Sequence, residues 1–117
     1  MHSIAEHVSL KNLNTFRVEA HARWFTEIHK EEELRELFAE DKWRSAERFI
    51  IGGGSNVLFT RDFNGLIIRM SIPGIIHHIE GSTVFVTAGA GVVWNDLVQY
   101  CVERGFAGIE NLSLIPG

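Results

Sequence analysis

Ile51-Gly52-Gly53-Gly54-Ser55-Asn56-Val57-Leu58 is the stretch of this 117-residue chain whose residue types most directly suggest chemistry. Consecutive glycines lose much conformational freedom on folding, so something must require their permissive backbone or the open space beside it. One arrangement with that need is a concave array of backbone N–H groups around a phosphate, with Ser55 and Asn56 adding side-chain donors. A plain glycine-rich turn between two strands has the same need without any ligand. Two familiar phosphate loops do not fit. A Walker loop ends in Gly-Lys-Ser/Thr, and no lysine follows these glycines. A Rossmann fingerprint opens a helix, whereas residues 55–59 read as strand. A diphosphate loop of another architecture remains.

Other reactive side chains point away from catalysis. His2, His7, His21 and His29 are scattered without ligand spacing, and His77 and His78, adjacent in an expected strand, face opposite ways. No metal site is expected. Cys101 lies on the apolar stripe of a helix, which makes it a core thiol. As the single cysteine it excludes an intrachain disulfide or a cysteine-rich zinc site. Glu31-Glu32-Glu33 suits a solvated helix start, where carboxylates meet the positive end of the helix dipole. With no paired carboxylates or triad, no catalytic residue is assigned.

Composition sets the frame around these residues. Hydrophobic content of 45% with 22% charged residues is ordinary for a globular chain. The net charge of -4, from 11 Lys and Arg against 15 Asp and Glu, leaves no electrostatic footprint for nucleic acid. No apolar run is long enough for a membrane span, and residues 1–10 lack the apolar centre of a secretory signal. A cytoplasmic chain with neither nucleic-acid nor membrane partner is expected.

The elements that would position the glycines follow from periodicity. Residues 16–19 and 23–29 read as strands, and 30–43 as one helix with Leu34, Leu37 and Phe38 in its apolar stripe. Residues 49–51 read as a short buried strand, 57–59 as strand, and 66–69 as the strand that ends the first unit. Ile75–Glu80 and residues 83–88 form a hairpin around Gly81-Ser82, with Val84, Val86 and Ala88 on one face. A helix over 93–104 follows, with Trp94, Leu97, Val98, Cys101 and Val102 in one stripe and Gly105 as its stop. Residues 108–117 are loop or strand, and the whole reads as α+β.

Set in that order, four motifs resemble one family. Gly52-Gly53-Gly54-Ser55-Asn56-Val57-Leu58-Phe59 resembles the G-x-G-S-N-x-L diphosphate motif of the UDP-N-acetylenolpyruvoylglucosamine reductases, members of the vanillyl-alcohol-oxidase-like FAD-binding superfamily. Asn14-Thr15-Phe16 resembles their N-T-F, and Ala88-Gly89-Ala90-Gly91 with Trp94 their G-A-G-x-x-W. Gly105-Phe106-Ala107-Gly108-Ile109-Glu110-Asn111-Leu112 through Pro116-Gly117 resembles their G-x-x-G-L-E-N-L-x-x-I-P-G. The Glu110-Asn111-Leu112 wording more closely resembles the subtype with an extra substrate-covering loop. One departure is Glu19-Ala20-His21-Ala22, where many members have Gly-Gly-x-Ala.

The resemblance implies an α+β FAD-binding fold of the PCMH/vanillyl-alcohol-oxidase type. Residues 1–69 would be its first lobe and 70–117 an incomplete second lobe, with the substrate domain absent. FAD would be the cofactor and NADPH the co-substrate. The substrate would be the enolpyruvyl ether of UDP-N-acetylglucosamine, reduced to UDP-N-acetylmuramate for peptidoglycan. Gly52, Gly53, Gly54, Ser55, Asn56, Val57 and Leu58 would hold the FAD diphosphate; Ile115, Pro116 and Gly117 would begin a second flavin-contacting segment; residues 88–91 would be scaffold. The family's catalytic serine, glutamate and arginine lie beyond its Ile-Pro-Gly motif. The expectation is therefore an N-terminal part of a longer reductase, inactive and weak in FAD binding by itself. Trp94, Leu97, Val98 and Ile115 would then lack packing partners and favour self-association. Another flavoprotein of the superfamily and a non-catalytic nucleotide-binding module are the alternatives, and Asn14-Thr15-Phe16 with Glu110-Asn111-Leu112 favours the reductase.

Overall fold

The structure, a computed structural model, describes residues 3–117, so Met1 and His2 lie outside it. Its centre is set by β4 (Phe63–Met70), in which Leu66, Ile67 and Ile68 are all fully buried. A strand with successive apolar residues must be covered on both faces, which is the habit of parallel sheets. β2 (His21–Ile28) and β3 (Arg48–Ile51) flank it in parallel, and β1 (Ala5–Ser9) joins β2 antiparallel, giving the order β1-β2-β4-β3. Parallel strands need a crossover, here α1 (Glu31–Ala39) and α2 (Asp41–Ser45) between β2 and β3.

The two faces are covered differently. Ile28, Leu37, Trp43, Leu66 and Ile68 form the core beneath the helices. Leu10, Ala20, Ala22, Ile51, Phe59 and Ile67 form the opposite core, closed by loops on either side of β2 and β3. Ala22 and Phe25 both belong to this core, and the β2–β4 register shifts between Ala22 and Trp24, where β4 carries one extra residue. Gly65 sits at that shift, where a Cβ would come within 2.5 Å of the Glu47 carbonyl oxygen.

Several expected elements are corrected. The helix over 30–43 is broken at Glu40, which is extended (φ -84°, ψ 124°). In one continuous helix Trp43 would point about 120° away from Leu37, so the break allows both to be buried. Trp43 then meets Trp24 edge to face, with ring centroids 5.3 Å apart. Residues 16–19 form no strand. The buried Asn14 side chain takes over the backbone of Val18 among them: its Nδ2 donates to the carbonyls of Leu10 (2.7 Å) and Val18 (3.3 Å), and its Oδ1 accepts the Val18 N–H at 3.1 Å. Arg17, at φ 55°, is left-handed, which no strand accommodates. Residues 57–59 are loop, anchored by the buried Phe59. β3 is buried only at Ile51; it is the sheet edge, and Phe49 and Ile50 are 42% and 53% exposed.

Beyond residue 70 the expectations hold more closely. β5 (Ile75–Glu80) and β6 (Thr83–Ala88) pair antiparallel, and Val84, Val86 and Ala88 share the half-buried face. α3 (Trp94–Glu103) follows and ends before Gly105, which is left-handed at φ 71°. Val98, expected to lose its partners, is buried together with Cys101. The tail folds back as a short 3-10 turn, Glu110–Leu112, tied to the start of α3. The Trp94 indole donates to the Leu112 carbonyl at 2.7 Å, the Trp94 N–H to the Gly117 carbonyl at 2.9 Å, and the Leu114 N–H to Asn95 Oδ1 at 2.9 Å.

Candidate functional site

Because β3 and β4 run parallel, the glycine loop and the Ser71–Gly74 turn leave the same end of the sheet from neighbouring strands. The crevice outside the carboxyl ends of such strands is the usual ligand position in open α/β sheets. A cavity of about 640 Å³ lies there. Gly52 and Gly53 line it from the sheet, and Gly91, Val92, Asp96 and Tyr100 from the α3 region. Its volume falls in the range of small-molecule sites.

The three glycines do different jobs. Gly54 is left-handed at φ 71°, and a Cβ there would come within 2.0 Å of the Leu13 carbonyl oxygen, so the fold itself requires glycine. At Gly52 and Gly53 an added Cβ would meet nothing within 4 Å. Neither has a positive φ, so the protein's own packing gives no reason for glycine at these two positions. Among the described residues, the N–H groups of Gly53, Gly54, Ser55 and Asn56 reach no protein acceptor. The carbonyls on this loop are engaged instead: Thr15 takes those of Gly54 and Ser55. The loop therefore offers donors and open space, which is the pattern an anion needs.

The other sequence-derived site residues are spread more widely. Ser55, Asn56, Val57 and Leu58 continue the loop but do not line this cavity. Val57 packs on the loop-side core, and Leu58 is exposed. Ile115, Pro116 and Gly117 line a separate cavity of about 360 Å³ with Val92, Trp94 and Leu97. Val92 borders both cavities. Gly89 and Gly91 allow a close crossing of two backbones: a Cβ at either would fall 2.3–2.5 Å from the main chain of residues 71–73.

Charge enters the cavity through groups that sequence reasoning passed over. Arg69 is its cation; it faces Glu27 across the ladder, with Nη1 3.9 Å from Oε1. The Ser71 hydroxyl donates to the same Glu27 oxygen at 2.6 Å, which fixes the turn after β4. Tyr100 lines the cavity, its hydroxyl 2.6 Å from His77 Nδ1 and the Arg104 guanidinium 3.5 Å from its ring centroid. Arg69 could have been flagged as a charge ending an apolar strand just before a Ser-Ile-Pro-Gly turn. Tyr100 had no local signal. His77 and His78 do face opposite ways, onto Tyr100 and Phe106 in one case and Phe85 in the other. Among the described residues there is no cluster of three or more metal-ligating side chains, and no helix is long and apolar enough to cross a membrane.

Comparison with known proteins adds to this geometry. The family model of the FAD binding domain matches residues 22–117. The UDP-N-acetylenolpyruvoylglucosamine reductase of Amoebophilus asiaticus is 44% identical over 115 residues, 97% of this chain and 34% of that protein. The protein of the same name from Pseudomonas fluorescens is 45% identical over 111 residues, 94% of this chain and 33% of that protein. The chain thus spans about a third of the length of these relatives. A crystal structure of UDP-N-acetylenolpyruvylglucosamine reductase from Thermus caldophilus superposes with a TM-score of 0.70 at 25% identity, over 99% of this chain and 39% of that one.

Proposed function

The chain belongs to the FAD binding domain family, and from that membership we propose that it holds the diphosphate of FAD on residues 52–58 within a UDP-N-acetylenolpyruvoylglucosamine reductase. The observation that carries the cofactor reading is the open space before Gly52 and Gly53, beside N–H groups that find no acceptor among the described residues. A diphosphate fits such a loop because its oxygens need several donors at once and close approach to the main chain. In this reading Gly52 and Gly53 admit the ligand and the N–H groups of residues 53–56 bind it. The Ser55 and Asn56 side chains add donors, while Val57 and Leu58 hold the far end of the loop. Arg69 supplies positive charge at the same cavity.

Ile115, Pro116 and Gly117 would form the second contacting segment, reached through Val92. Residues 1–69 would act as the first FAD-binding lobe and 70–117 as part of the second. The sheet order supports that division, since every strand of the four-stranded sheet precedes residue 71. The FAD, when bound, would supply hydride transfer from NADPH to the enolpyruvyl group of the UDP-sugar. Substrate, co-substrate and a cytoplasmic place in peptidoglycan synthesis all rest on the relatives' shared name and on the four motifs. No proton transfer is assigned to a residue of this chain.

The test is direct. The protein in its full natural length should carry a flavin spectrum and oxidise NADPH only when UDP-N-acetylglucosamine enolpyruvate is present. A colourless protein that takes up no FAD would overturn the cofactor reading. A flavoprotein indifferent to the sugar nucleotide would instead favour another oxidoreductase of the superfamily.

A further inference from the structure

We propose that Thr15 is the positioning residue of the diphosphate loop: it holds two loop carbonyls on one side, so that the loop's N–H groups face the other. The inference rests on the FAD reading above and assigns within it a role to a residue outside the loop. The Thr15 hydroxyl donates in shared fashion to the carbonyl oxygens of Gly54 (3.3 Å) and Ser55 (3.1 Å). Its main-chain N–H donates to the Gly54 oxygen as well, at 3.2 Å. The structure contains no cis peptide among the described residues. In a trans peptide the carbonyl and the following N–H point in opposite directions. Drawing the Gly54 and Ser55 oxygens onto Thr15 therefore turns the N–H groups of Ser55 and Asn56 away from it. These are two of the donors left without a protein acceptor.

A clamp is only as good as its anchor, and Thr15 is anchored. Asn14 beside it is buried and makes three hydrogen bonds, to Leu10 and Val18. Leu10 is itself fully buried in the loop-side core. The same turn meets the loop sterically, because Gly54 rides against the Leu13 carbonyl with no room for a Cβ. Two contacts thus fix the loop on the 10–18 turn, one by shape and one by hydrogen bonding. The β-branched threonine has few rotamers, which suits a hydroxyl that must stay aimed. Thr15 is solvent-exposed, so an unliganded fold loses little if water replaces its hydroxyl. An oriented set of loop donors loses more.

The experiment compares Thr15→Val and Thr15→Ser with the wild type, in the full natural chain. Bound flavin is removed, FAD affinity is measured by fluorescence titration, and the flavin-free protein is melted. Loss of one loop hydrogen bond should weaken FAD binding about tenfold in Thr15→Val. Thr15→Ser keeps the hydroxyl and should stay within about twofold of wild type, and the flavin-free melting temperatures should agree within about 2 °C. If Thr15→Val does not fold, Thr15→Ala replaces it in the contrast with Thr15→Ser. Wild-type affinity without the hydroxyl would overturn the inference and leave the FAD reading standing. Loss of flavin-free stability in parallel with affinity would make Thr15 merely structural and overturn it too. A wild type that binds no FAD would overturn the reading and the inference together.

Discussion

β4 and α3 use similar apolar residues to different effect. In β4, Leu66, Ile67 and Ile68 are completely buried, because helices close one face of the sheet and loops the other. Past residue 70 only Val98 and Cys101 are buried, and neither completely, although the hairpin and α3 are just as clearly patterned. Between β6 and α3 lies a cavity of about 650 Å³ lined by Val84, Val86, Leu97 and Cys101. Ile76, Ile79 and Phe85 on the hairpin are exposed. The difference is one of layers: amphipathic elements become a core only when something covers each apolar face. It divides the candidate site too. The glycine loop stands on the closely packed region, and Gly91, Asp96 and Tyr100 reach the cavity from the loosely packed one, where local opening should be easier.

The sharpest way to break this contrast is a matched pair of isoleucines. Ile68→Ala removes a fully buried side chain and should cost about 3–4 kcal/mol in urea unfolding. Ile79→Ala removes one that is 61% exposed and should cost under about 0.5 kcal/mol. Equal losses would mean that the hairpin is covered as well as the sheet. The loop's own division predicts the next largest effect. Gly54→Ala places a methyl against the Leu13 carbonyl at a left-handed φ and should cost about 2 kcal/mol of flavin-free stability. Gly53→Ala should leave that stability within about 0.5 kcal/mol and weaken FAD binding, since open space surrounds it. A flavin-free protein destabilised equally by both would show that the two glycines are alike.

The smallest effect compares two surface carboxylates. The Glu33 carboxylate accepts the N–H groups of His29 (2.7 Å) and Lys30 (3.2 Å) at the start of α1. The His29 bond above all holds its pKa below the ordinary 4.5; desolvation opposes it and the Lys30 bond adds to it. Glu110 is lowered likewise, first by the Gly108 N–H and then by its own. A depressed folded pKa adds stability above the unfolded value, and that stability is lost as pH falls through the folded one. Glu33→Gln should therefore slightly flatten the decline of global stability below pH 4.5. Glu110→Gln should change only hydrogen exchange in the tail, because the loosely packed region opens first. A Glu110→Gln effect on global unfolding as large as that of Glu33→Gln would erase the distinction between the regions.

The sequence by itself determined what local chemistry and local periodicity can encode. The hairpin, α3 with its buried Cys101, and the glycine loop after a strand all appear where their residues predict them. The FAD-binding family that the motifs implied is borne out as well, its model matching residues 22–117. Tertiary structure decided the rest. Residues 16–19 alternate like a strand, yet the Asn14 amide takes both backbone groups of Val18 first. Residues 49–51 read as a buried strand, yet at the edge of the sheet only Ile51 is buried and Phe49 and Ile50 stay exposed. The split of Gly52 and Gly53 from Gly54, and the grip of Thr15 on the loop, depend on Leu13 and Thr15 arriving from some forty residues away. Arg69 and Tyr100 share a cavity for the same reason. Periodicity sees only neighbours along the chain, while burial and approach are properties of whatever the completed fold places alongside.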